Sequence, residues 1–500
     1  GFGTGQDAGG GANGGAEWGQ QPRRPVAPNL IVAHREELRQ ASTGTLDHMV
    51  IDVVGSLFDQ ILSDPKVPPQ MARQIARLQL PVLRVALTDS TFFSSRRHPV
   101  RRFVNRIASL ACAFDDFTQG PGQHFLKLVK ELVQEIVGGD FDQMEVYEQK
   151  LSQLENFIAE QAQAEVREHG DPAQLLQRKE AELVLHQRYM QQLQFALAAI
   201  EMQDFLRDFL CQVWSQAIVR ASERDPAGEL AARFRRTARE LVMSVQPKAS
   251  PADRKNFLMQ LPQLMKDLND GLALIGWAEN AKKDFFAKLL PAHAESLKGL
   301  AMRRLDYNLL VKELDRILAA PLPPGAGTNG EELSALDARC LPASALDVAD
   351  AGLNEDEASK VGLVKETTFD WDGKVDIDLS AEPELTSVDI NIDGLPPPEP
   401  AEPASGASLA DHVQIGFAYQ MHLDGQWQKV RLNYVSPARA FFVFTTGTKA
   451  QRTISLTQRM LKRMCETGRM RAFENAYLIE RATARARKQL AALGPSALRH

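Results

Sequence analysis

Apolar residues recur every three or four positions from Thr45 to about Leu318, a spacing that predicts a succession of amphipathic helices. The first helix is predicted to begin near Thr45 and to end at the prolines of SDPKVPP, residues 63–69. A second begins at Pro69, and Pro81 is expected to kink or restart the chain because proline cannot donate a helical hydrogen bond. This region is therefore predicted to be all-α.

Two long helices are predicted in the middle of this region. One begins near Asp140, and its apolar residues alternate steps of three and four, as in a coiled coil. EHGDPA at 168–173 indicates a hairpin turn, and a return helix runs from about Pro172 towards Arg224 without internal proline or glycine. We therefore expect two long antiparallel helices. The seam residues of the first are Met144, Tyr147, Leu151, Leu154 and Ile158, and further helices are predicted at 123–137, 228–245, 251–274 and 279–318.

From residue 411 the pattern changes to runs that are typical of strands, separated by the turn signals DG and SPAR. Thr457 is positioned to cap a helix that follows a short fourth strand, and a basic amphipathic helix is predicted over residues 475–493. This part is predicted to be a small β-barrel or sheet with helices. Its first strand candidates are HVQIGFAYQMHL (412–423), GQWQKVRLNYVS (425–436) and RAFFVFTT (439–446).

Composition and charge divide the 500 residues into four parts. Residues 1–27 are rich in glycine and residues 319–410 in proline and acidic side chains, so both are predicted to be mostly disordered. Residues 28–318 form the all-α domain, and residues 411–500 form the strand-rich module. From residue 331 to residue 410 there are 19 acidic and 4 basic residues, whereas the module holds 15 Lys or Arg and 5 Asp or Glu. An acidic linker therefore precedes a basic module.

This charge partition leaves two interpretations of the linker open. The linker is a solvated spacer, or it is a partner-binding or autoinhibitory segment that competes for the basic surface of the module. Within it, TTFDWDGKVDIDLS at 367–380 sets aromatic and aliphatic side chains among acids, a composition that suits a short recognition segment. The basic docking face of the module is predicted to consist of Arg459, Lys462, Arg463, Arg469 and Arg471.

A dense group of positive charge lies in FFSSRRHPVRRFVN, residues 92–105. Pro99 fits the first turn of a helix, and His98 before it is predicted to cap or pack. Positive charge near the positive end of a helix dipole needs compensation. Either acidic residues of adjacent helices pair with these arginines, or the arginines form a site for an anion or a partner. The candidate side chains are Arg96, Arg97, Arg101 and Arg102.

Other features favour a soluble protein of a reducing compartment. No apolar run approaches the roughly 18 residues that a membrane helix needs. The four cysteines, Cys112, Cys211, Cys340 and Cys465, lie far apart without a CxxC pair, which argues against a zinc site and a disulfide framework. We therefore predict a cytoplasmic location and no cofactor. Because the sequence begins at Gly1 rather than Met, we also expect it to be a fragment.

The sequence does not indicate an enzyme. P-loop, zincin and hydrolase-elbow motifs do not occur in it. Glu182 and His186 lie four residues apart, as do Glu165 and His169, whereas di-iron bundles use Glu-x-x-His at a spacing of three. Both pairs are therefore expected to be surface pairs. Nucleic-acid binding is not favoured either, because no stacking platform of aromatic residues accompanies the basic face of the module.

Several long segments carry one family pattern in order along the chain. They are FDQILSDPKVPPQMARQIARLQLPVLRVALTDSTFFSSRRHPVRRFVNRIA, LPQLMKDLNDGLALIGW and WQKVRLNYVSPARAFFVFT. They resemble a bacterial family known as domain of unknown function 1631, and the resemblance spans most of residues 30–500. It implies a large helical protein without an established activity. It also implies that the C-terminal module is similar to PilZ domains, small barrels that in many bacteria bind cyclic di-GMP.

The ligand motifs of PilZ domains can be compared with this module. A ligand-competent PilZ domain generally has RxxxR before its first strand and [D/N]xSxxG on a following strand. Here no arginine lies between Arg339 and Arg431, and NYVSPARA places Asn433 and Ser436 three apart instead of two, without the glycine. The resemblance therefore implies that the standard site is absent. The nearest candidates for ligand or partner binding are Arg431, Asn433, Ser436 and Arg439.

The predicted fold class is mainly α, a multi-helix domain with long antiparallel helices plus a small C-terminal PilZ-like β-barrel with helices. We expect a non-enzymatic, cytoplasmic signalling or scaffold protein that acts through contacts with unidentified protein partners. The module is predicted to dock on the helical body or on a partner while the linker tethers it. The alternative is a cyclic di-GMP effector with a non-standard site that arginines of the helical domain complete. An unrecognised enzyme is the third alternative.

Overall fold

The computed structural model describes residues 27–323, 353–371, 405–446 and 452–472, with short gaps at 43, 65–66, 90, 96, 115, 140–142, 169, 171, 249, 299–301 and 370. Residues 1–26 of the predicted glycine-rich tail, most of the predicted linker and the predicted helix at 475–493 lie outside these residues. The described chain is mainly helical and carries a small antiparallel sheet near its C-terminal end. This confirms the helical class and the change to strands that the sequence predicted.

The first helices enclose one apolar core. Proline begins α4 at Pro69 and α7 at Pro99, as predicted, because its missing N–H has no acceptor in the first turn of a helix. Pro81 lies in the first turn of α5, just after the chain restarts at Gln79. The helices of this part are α1 (Leu30–Ala33), α2 (Arg35–Ala41), α3 (Thr45–Ser63), α4 (Pro69–Arg77), α5 (Gln79–Thr88), α6 (Thr91–Ser94), α7 (Pro99–Ala111), α8 (Gly120–Gly138) and α9 (Met144–Glu168).

A second apolar core follows along the chain. It is enclosed by α10 (Pro172–Leu197), α11 (Asp204–Asp208), a π-helix (Phe209–Trp214), α12 (Ser215–Arg224), α13 (Glu229–Ser244), α14 (Pro251–Leu274), α15 (Glu279–Lys298) and α16 (Arg304–Ala319).

The structure corrects two predicted helix lengths. The return helix, predicted to reach Arg224, ends at Leu197, and the helix predicted over 279–318 is two helices, α15 and α16. Neither proline nor glycine marks the end of α10. The turn after it places Ile200 in the second core, and Arg207 donates a hydrogen bond to the carbonyl of Ile200 at 2.9 Å. Tertiary packing therefore ends a helix that local sequence would continue.

The seam of α9 packs against α7 instead of forming a coiled coil with α10. The ring of Tyr147 on α9 lies 6.2 Å from that of Phe103 on α7, and Leu151 and Ile158 belong to the first core. Tyr189 and Leu193 of α10 belong to the second core. The two long helices, joined by a turn at Gly170, therefore connect the two cores.

The strands form an open five-stranded antiparallel sheet in the order β4-β3-β2-β1-β5. Asp424 and Gly425 have φ of 51° and 77°, the pair of positive values that a tight hairpin of type I′ needs, so DG makes the predicted turn. Thr457 caps the following helix as predicted, accepting from the amide of Met460 at 3.2 Å. The elements follow α17 (Glu355–Lys360) of the linker and are α18 (Leu409–His412), β1 (Ala418–Leu423), β2 (Gln426–Val435), β3 (Phe441–Thr446), β4 (Arg452–Thr457), α19 (Gln458–Glu466) and β5 (Met470–Ala472).

Part of the predicted linker has a definite conformation. Residues 353–371 form α17 (Glu355–Lys360) and a 3₁₀ turn (Glu366–Thr368), whereas the sequence indicated mostly disorder there. Asn354 and Glu357 make a capping box at the start of α17. Val361 is buried in an apolar cluster with Leu176 of α10 and Phe441 of β3. This segment therefore packs between the helices and the sheet.

Candidate functional site at the junction of the sheet and the helices

Arg431 and Asn433 of β2 bind Glu165 on α9. Arg431 forms a salt bridge with Glu165, and the side-chain amide of Asn433 donates to the Oε2 atom of Glu165 at 2.9 Å. The same amide donates to the hydroxyl of Thr445 at 2.8 Å, and Nε of Arg431 donates to Oδ1 of Asn433 at 3.1 Å. Glu165 is buried, so these groups compensate one another away from water.

Ser436 binds a second buried glutamate, Glu180 of α10. The hydroxyl of Ser436 donates to Oε1 of Glu180 at 2.5 Å, and the amide of Ala440 donates to the same oxygen at 3.0 Å. The Ser436 hydroxyl also accepts from the amide of Phe441 at 2.9 Å. Glu180 is 1% exposed, and this burial raises the pKa of its carboxyl above the usual range, while the donated hydrogen bonds oppose the rise.

Arg106 of α7 makes a third polar contact with the sheet module. Its guanidinium lies 4.1 Å from the ring centroid of Phe417, and Nη2 donates to the carbonyl of Ile415 at 3.4 Å. Burial lowers the pKa of Arg106 to about 10, which leaves it charged at neutral pH. Between these two module residues, Gly416 approaches α9 so closely that a Cβ there would lie 2.2 Å from Ile158.

Arg439 lies in the turn between β2 and β3 with a φ of 57°. Its Nη2 donates to the carbonyl of Ala410 at 3.3 Å, and its guanidinium lies 5.4 Å from the ring centroid of Phe442. Burial lowers the pKa of Arg439. Arg439 therefore links the turn between β2 and β3 to the segment before β1. It donates a hydrogen bond to Ala410, whereas Arg431 binds Glu165.

These contacts decide the status of the ligand candidates in the module. Arg431, Asn433 and Ser436 all face the helical body, where two buried carboxylates bind them. A phosphate ligand at this position would meet negative charge in a confined space. At Arg431, Asn433 and Ser436 the helical body supplies two buried glutamates.

The described arginines of the group at 96–102, Arg97, Arg101 and Arg102, have separate surroundings. Arg101 is buried and donates to the carbonyls of Phe92 and Phe93 at 3.2 and 3.3 Å. Arg102 lies 3.9 Å from Glu155 of α9, Arg97 is exposed, and Arg96 lies outside the described residues. The backbone carbonyls and Glu155 supply the compensation that the helix start requires.

His98 has the capping role that the sequence predicted. Its Nδ1 accepts from the amide of Val100 at 3.3 Å, and its ring packs edge-on against Phe92 with centroids 5.4 Å apart. Burial lowers the pKa of His98, although Asp89, 3.4 Å away, partly opposes this.

The basic face of the module is covered by the chain's own acidic linker. Arg459 and Arg463 of α19 both donate to Oε1 of Glu366, at 3.2 and 3.1 Å. Trp371 lies beside two arginines, with its ring centroid 4.2 Å from the guanidinium carbon of Arg463 and 5.4 Å from that of Arg469. Glu366 and Trp371 of the linker therefore lie against three arginines of the predicted basic face.

The other two residues of the predicted basic face lie elsewhere on the module. Arg471 of β5 donates to Oε1 of Gln420 at 2.6 Å, and its guanidinium lies 4.4 Å from the ring centroid of Trp427. Lys462 is half-buried on α19. Arg471 therefore contacts the sheet through Gln420 and Trp427.

The Glu/His pairs at a spacing of four have separate structural roles. Glu182 pairs with Arg220 at 2.8 Å, and Nε2 of His186 lies 3.0 Å from the hydroxyl of Ser215. Burial lowers the pKa of His186 to about 4. Glu165 is buried rather than on the surface, which corrects the prediction, and His169 lies outside the described residues.

No group of three or more His, Cys, Asp or Glu side chains that could hold a metal ion occurs in the described part of the chain. Three of the cysteines, Cys112, Cys211 and Cys465, are buried and unbridged, and Cys340 lies outside this part. Burial raises the pKa of Cys211 to about 11 and that of Cys465 to about 12, so neither is an activated thiol. No described helix is sufficiently long and apolar to span a membrane.

Sequence reasoning missed Glu165 and Glu180 as functional residues of the junction, although a signal was available. Glu165 lies seven residues after Ile158 and so continues the apolar seam of α9. Glu180 lies midway between Leu176 and Val184, on the buried side of α10. A carboxylate on an apolar helical face requires a partner from another element.

The described residues define a helical protein with two cores and a C-terminal sheet module fastened to both long helices. A family described as protein of unknown function (DUF1631) matches this chain twice, with its 2nd domain at residues 11–143 and its third domain at residues 175–290. The matches confirm the resemblance to this family that the sequence indicated, and they carry no description of an activity. No curated protein and no solved structure matches the chain.

Proposed function

We propose that this is a non-enzymatic, cytoplasmic signalling or scaffold protein that acts through protein contacts, with a degenerate PilZ-like module as a fixed part of its structure. One observation carries the proposal: Glu165 and Glu180 already bind Arg431, Asn433 and Ser436. These are the module's nearest counterparts of residues that bind cyclic di-GMP in PilZ domains. Because the two carboxylates already accept the hydrogen bonds of these side chains inside the protein, the three residues serve attachment to the helices instead of ligand binding.

The surface of the second helical part supports a role in protein contacts. Leu305 and Leu309, one turn apart on α16, are 68% and 55% exposed. On α14, Leu258 and Met259 are 55% and 62% exposed. Large apolar side chains in water favour association with other proteins. We propose that the face of α16 that carries Leu305 and Leu309 contacts a protein partner.

The first experiment is a calorimetric titration of cyclic di-GMP into the full chain at moderate salt. We expect no saturable heat from the wild type. The alternative function, a cyclic di-GMP effector with a non-standard site, draws support from Arg106, a helical-domain arginine that reaches the module. Saturable binding at micromolar affinity that is lost in Arg431→Ala would replace the proposed function with this alternative. Arg236→Ala, at an exposed position on α13, is the control.

A second experiment tests the protein contact itself. The wild-type chain and a Leu305→Glu, Leu309→Glu variant are cross-linked to extract proteins, and the captured proteins are compared by mass spectrometry. We expect a specific protein that the wild type captures and the variant does not, because charge at these positions opposes burial of the face. Lys312→Glu, on an exposed position of α16, should capture that protein normally. Identical capture by all three chains would refute a contact through this face.

A further inference from the structure

The arginine face, which we define as Arg459, Arg463 and Arg469, is held in place by the packing of α19 and β5. Residues Met460, Leu461 and Met464 fix α19 on the inner side of the sheet, where they are buried. The remaining side of α19 therefore presents Arg459 and Arg463 outward, one helical turn apart. Arg469 is held just before β5, where its backbone amide donates to the carbonyl of Met464 at 2.8 Å.

Glu366 is bound to this face through its carboxylate. Two guanidiniums, those of Arg459 and Arg463, converge on one oxygen atom at 3.2 and 3.1 Å. The Glu366 side chain is 14% exposed, whereas both arginine side chains are 42% exposed. The face thus selects an anionic side chain at a fixed point on α19.

Trp371 supplies the second group that the face recognises. Its ring lies against Arg463 and Arg469, and Nη2 of Arg469 donates to its carbonyl at 3.2 Å. The indole N–H donates to the carbonyl of Glu366 at 3.0 Å, which fixes the turn between the two residues. Phe369 packs next to Trp371, with ring centroids 5.1 Å apart, and both contact the apolar core of the sheet.

The residues before Glu366 pair with the edge of the sheet. The amide of Val364 donates to the carbonyl of Ser455 at 3.0 Å, and the amide of Ser455 donates to the carbonyl of Gly362 at 2.9 Å. They form one isolated bridge of the parallel type, between Leu363 and Ser455 of β4, which is an edge strand of the described sheet. Main-chain pairing with a sheet edge, combined with selected side-chain contacts, is the way in which many domains bind extended peptides.

We propose that the edge of β4 and the arginine face together form a docking site for an acidic, aromatic peptide segment of a partner protein, which residues 361–371 of this chain occupy until that segment displaces them. The inference rests on the proposed function of acting through protein contacts. Charge complementarity supports this partner chemistry, because the carboxylate of Glu366 in the occupant binds two arginines of the face, Arg459 and Arg463. The ion pairs of Glu366 with these two partly exposed arginines contribute little stability, which favours exchange of this part of the segment.

Residues 361–371 are tethered to the site, and this determines how strongly they compete with an added peptide. A segment attached to its site by the same chain has an effective concentration that a free peptide must exceed. The wild-type protein should therefore bind an added peptide weakly, and a variant whose own segment no longer fits should bind it more tightly. We expect this difference in peptide affinity only if the segment is exchangeable. If the segment is merely part of the fold, the variant offers no site at which an added peptide binds.

The test uses a fluorescein-labelled peptide of residues 359–371, SKVGLVKETTFDW, and fluorescence anisotropy with the full chain. We expect the Glu366→Ala, Trp371→Ala variant to bind this peptide at least about tenfold more tightly than the wild type does. Adding Arg463→Glu to that variant should abolish binding, whereas adding Arg236→Glu, a charge reversal at an exposed position on α13, should not. A peptide with both substitutions is the matched control and should not bind.

Equal binding by the wild type and the double variant, or binding that survives Arg463→Glu, would overturn the proposal. If the double variant does not give the wild-type circular dichroism spectrum, Glu366→Gln replaces it. That change removes the charge at nearly constant shape, and about threefold tighter peptide binding is then expected from weakened competition. Sedimentation checks the occupant: wild-type dimers that Trp371→Ala abolishes would identify a second copy and refute the partner segment. Cyclic di-GMP binding would instead refute the proposed function and leave peptide binding unaffected.

Discussion

Glu165 and Glu180 show how single buried charges determine the position of a whole module. Each carboxylate lies on the buried face of a long helix and receives donors from the sheet, Arg431 and Asn433 in one case and Ser436 in the other. Removing one partner of such a network leaves the other group desolvated and unpaired. At the scale of the residue, these two positions therefore carry the attachment.

The pKa of Glu180 predicts a specific pH dependence. Burial raises this pKa, so the folded protein holds the proton more tightly than the unfolded chain does. The stability that Glu180 contributes is fully present below its unfolded pKa and is lost as the pH rises through its folded pKa. Glu180→Gln does not titrate. Its free energy of unfolding, relative to that of the wild type, should therefore increase from about pH 4 to about pH 7.

Urea unfolding at several pH values measures this difference. Each variant is compared with the wild type at the same pH, so the titration of other groups, such as His186, cancels. Glu168→Gln, at an exposed position near the end of α9, is the control and should give a difference that does not change with pH. A Glu180→Gln difference that is constant, or that decreases as the pH rises, would contradict the assigned role of burial.

At the scale of the element, close backbone approach holds the sheet on α9. Gly416, just before β1, has a φ of 85°, and the side chains of Ile158 and Leu110 occupy the space where a Cβ would be. The adjacent Phe417 packs on Arg106 of α7. The segment that leads into the sheet therefore contacts two helices of the first core, α7 and α9. The residue in the middle of this contact is Gly416, which has no side chain.

Gly416→Ala is predicted to loosen this contact. A Cβ would lie 2.2 Å from Ile158, so α9 and the sheet must move apart. We expect a loss of about 1–3 kcal/mol in the free energy of unfolding beyond that of the control Gly406→Ala. Gly406 has a φ of 80° and open space around it, so its substitution has the same backbone strain without the clash. Equal losses in urea unfolding would show that the contact with α9 is unimportant.

At the scale of the whole molecule, two helical cores and one sheet module meet at the long helices. α9 belongs to the first core and the C-terminal half of α10 to the second, and both helices also bind the sheet. The linker segment 353–371 joins the same junction by packing between α10 and β4. The module is therefore attached through a few buried polar contacts and one small apolar cluster around Leu176 and Phe441, whereas each helical core is held by its own extensive apolar packing.

This arrangement predicts regional opening in Glu165→Ala. Removing one partner of a buried ion pair costs about 3–5 kcal/mol, and the loss, reduced by the partial exposure of Arg431, should appear at the junction. Hydrogen exchange measured by mass spectrometry should become at least about 100-fold faster in β2 and β3, with little change in α13 and α14. Glu168→Ala serves as the control. Acceleration that is uniform over the described chain, or absent, would mean that the module is not a separate unit of stability.

The sequence by itself determined the elements whose causes are local. Helices α3, α4, α7 and α14 begin at or within one residue of their predicted starts, because proline, caps and a period near 3.6 act within a few residues. The DG turn and the Thr457 cap follow from the same short-range chemistry. Charge partition along the chain likewise indicated that the linker and the basic face are complementary.

The tertiary structure alone decided which faces meet. The end of α10 at Leu197, the packing of α9 on α7, and the choice of Glu165 and Glu180 as partners of Arg431 and Ser436 depend on elements far apart in the chain. A helical pattern tells which side of a helix is buried, but it does not tell against what. That is the physical reason why the ligand candidates were found by sequence and their true partners were not.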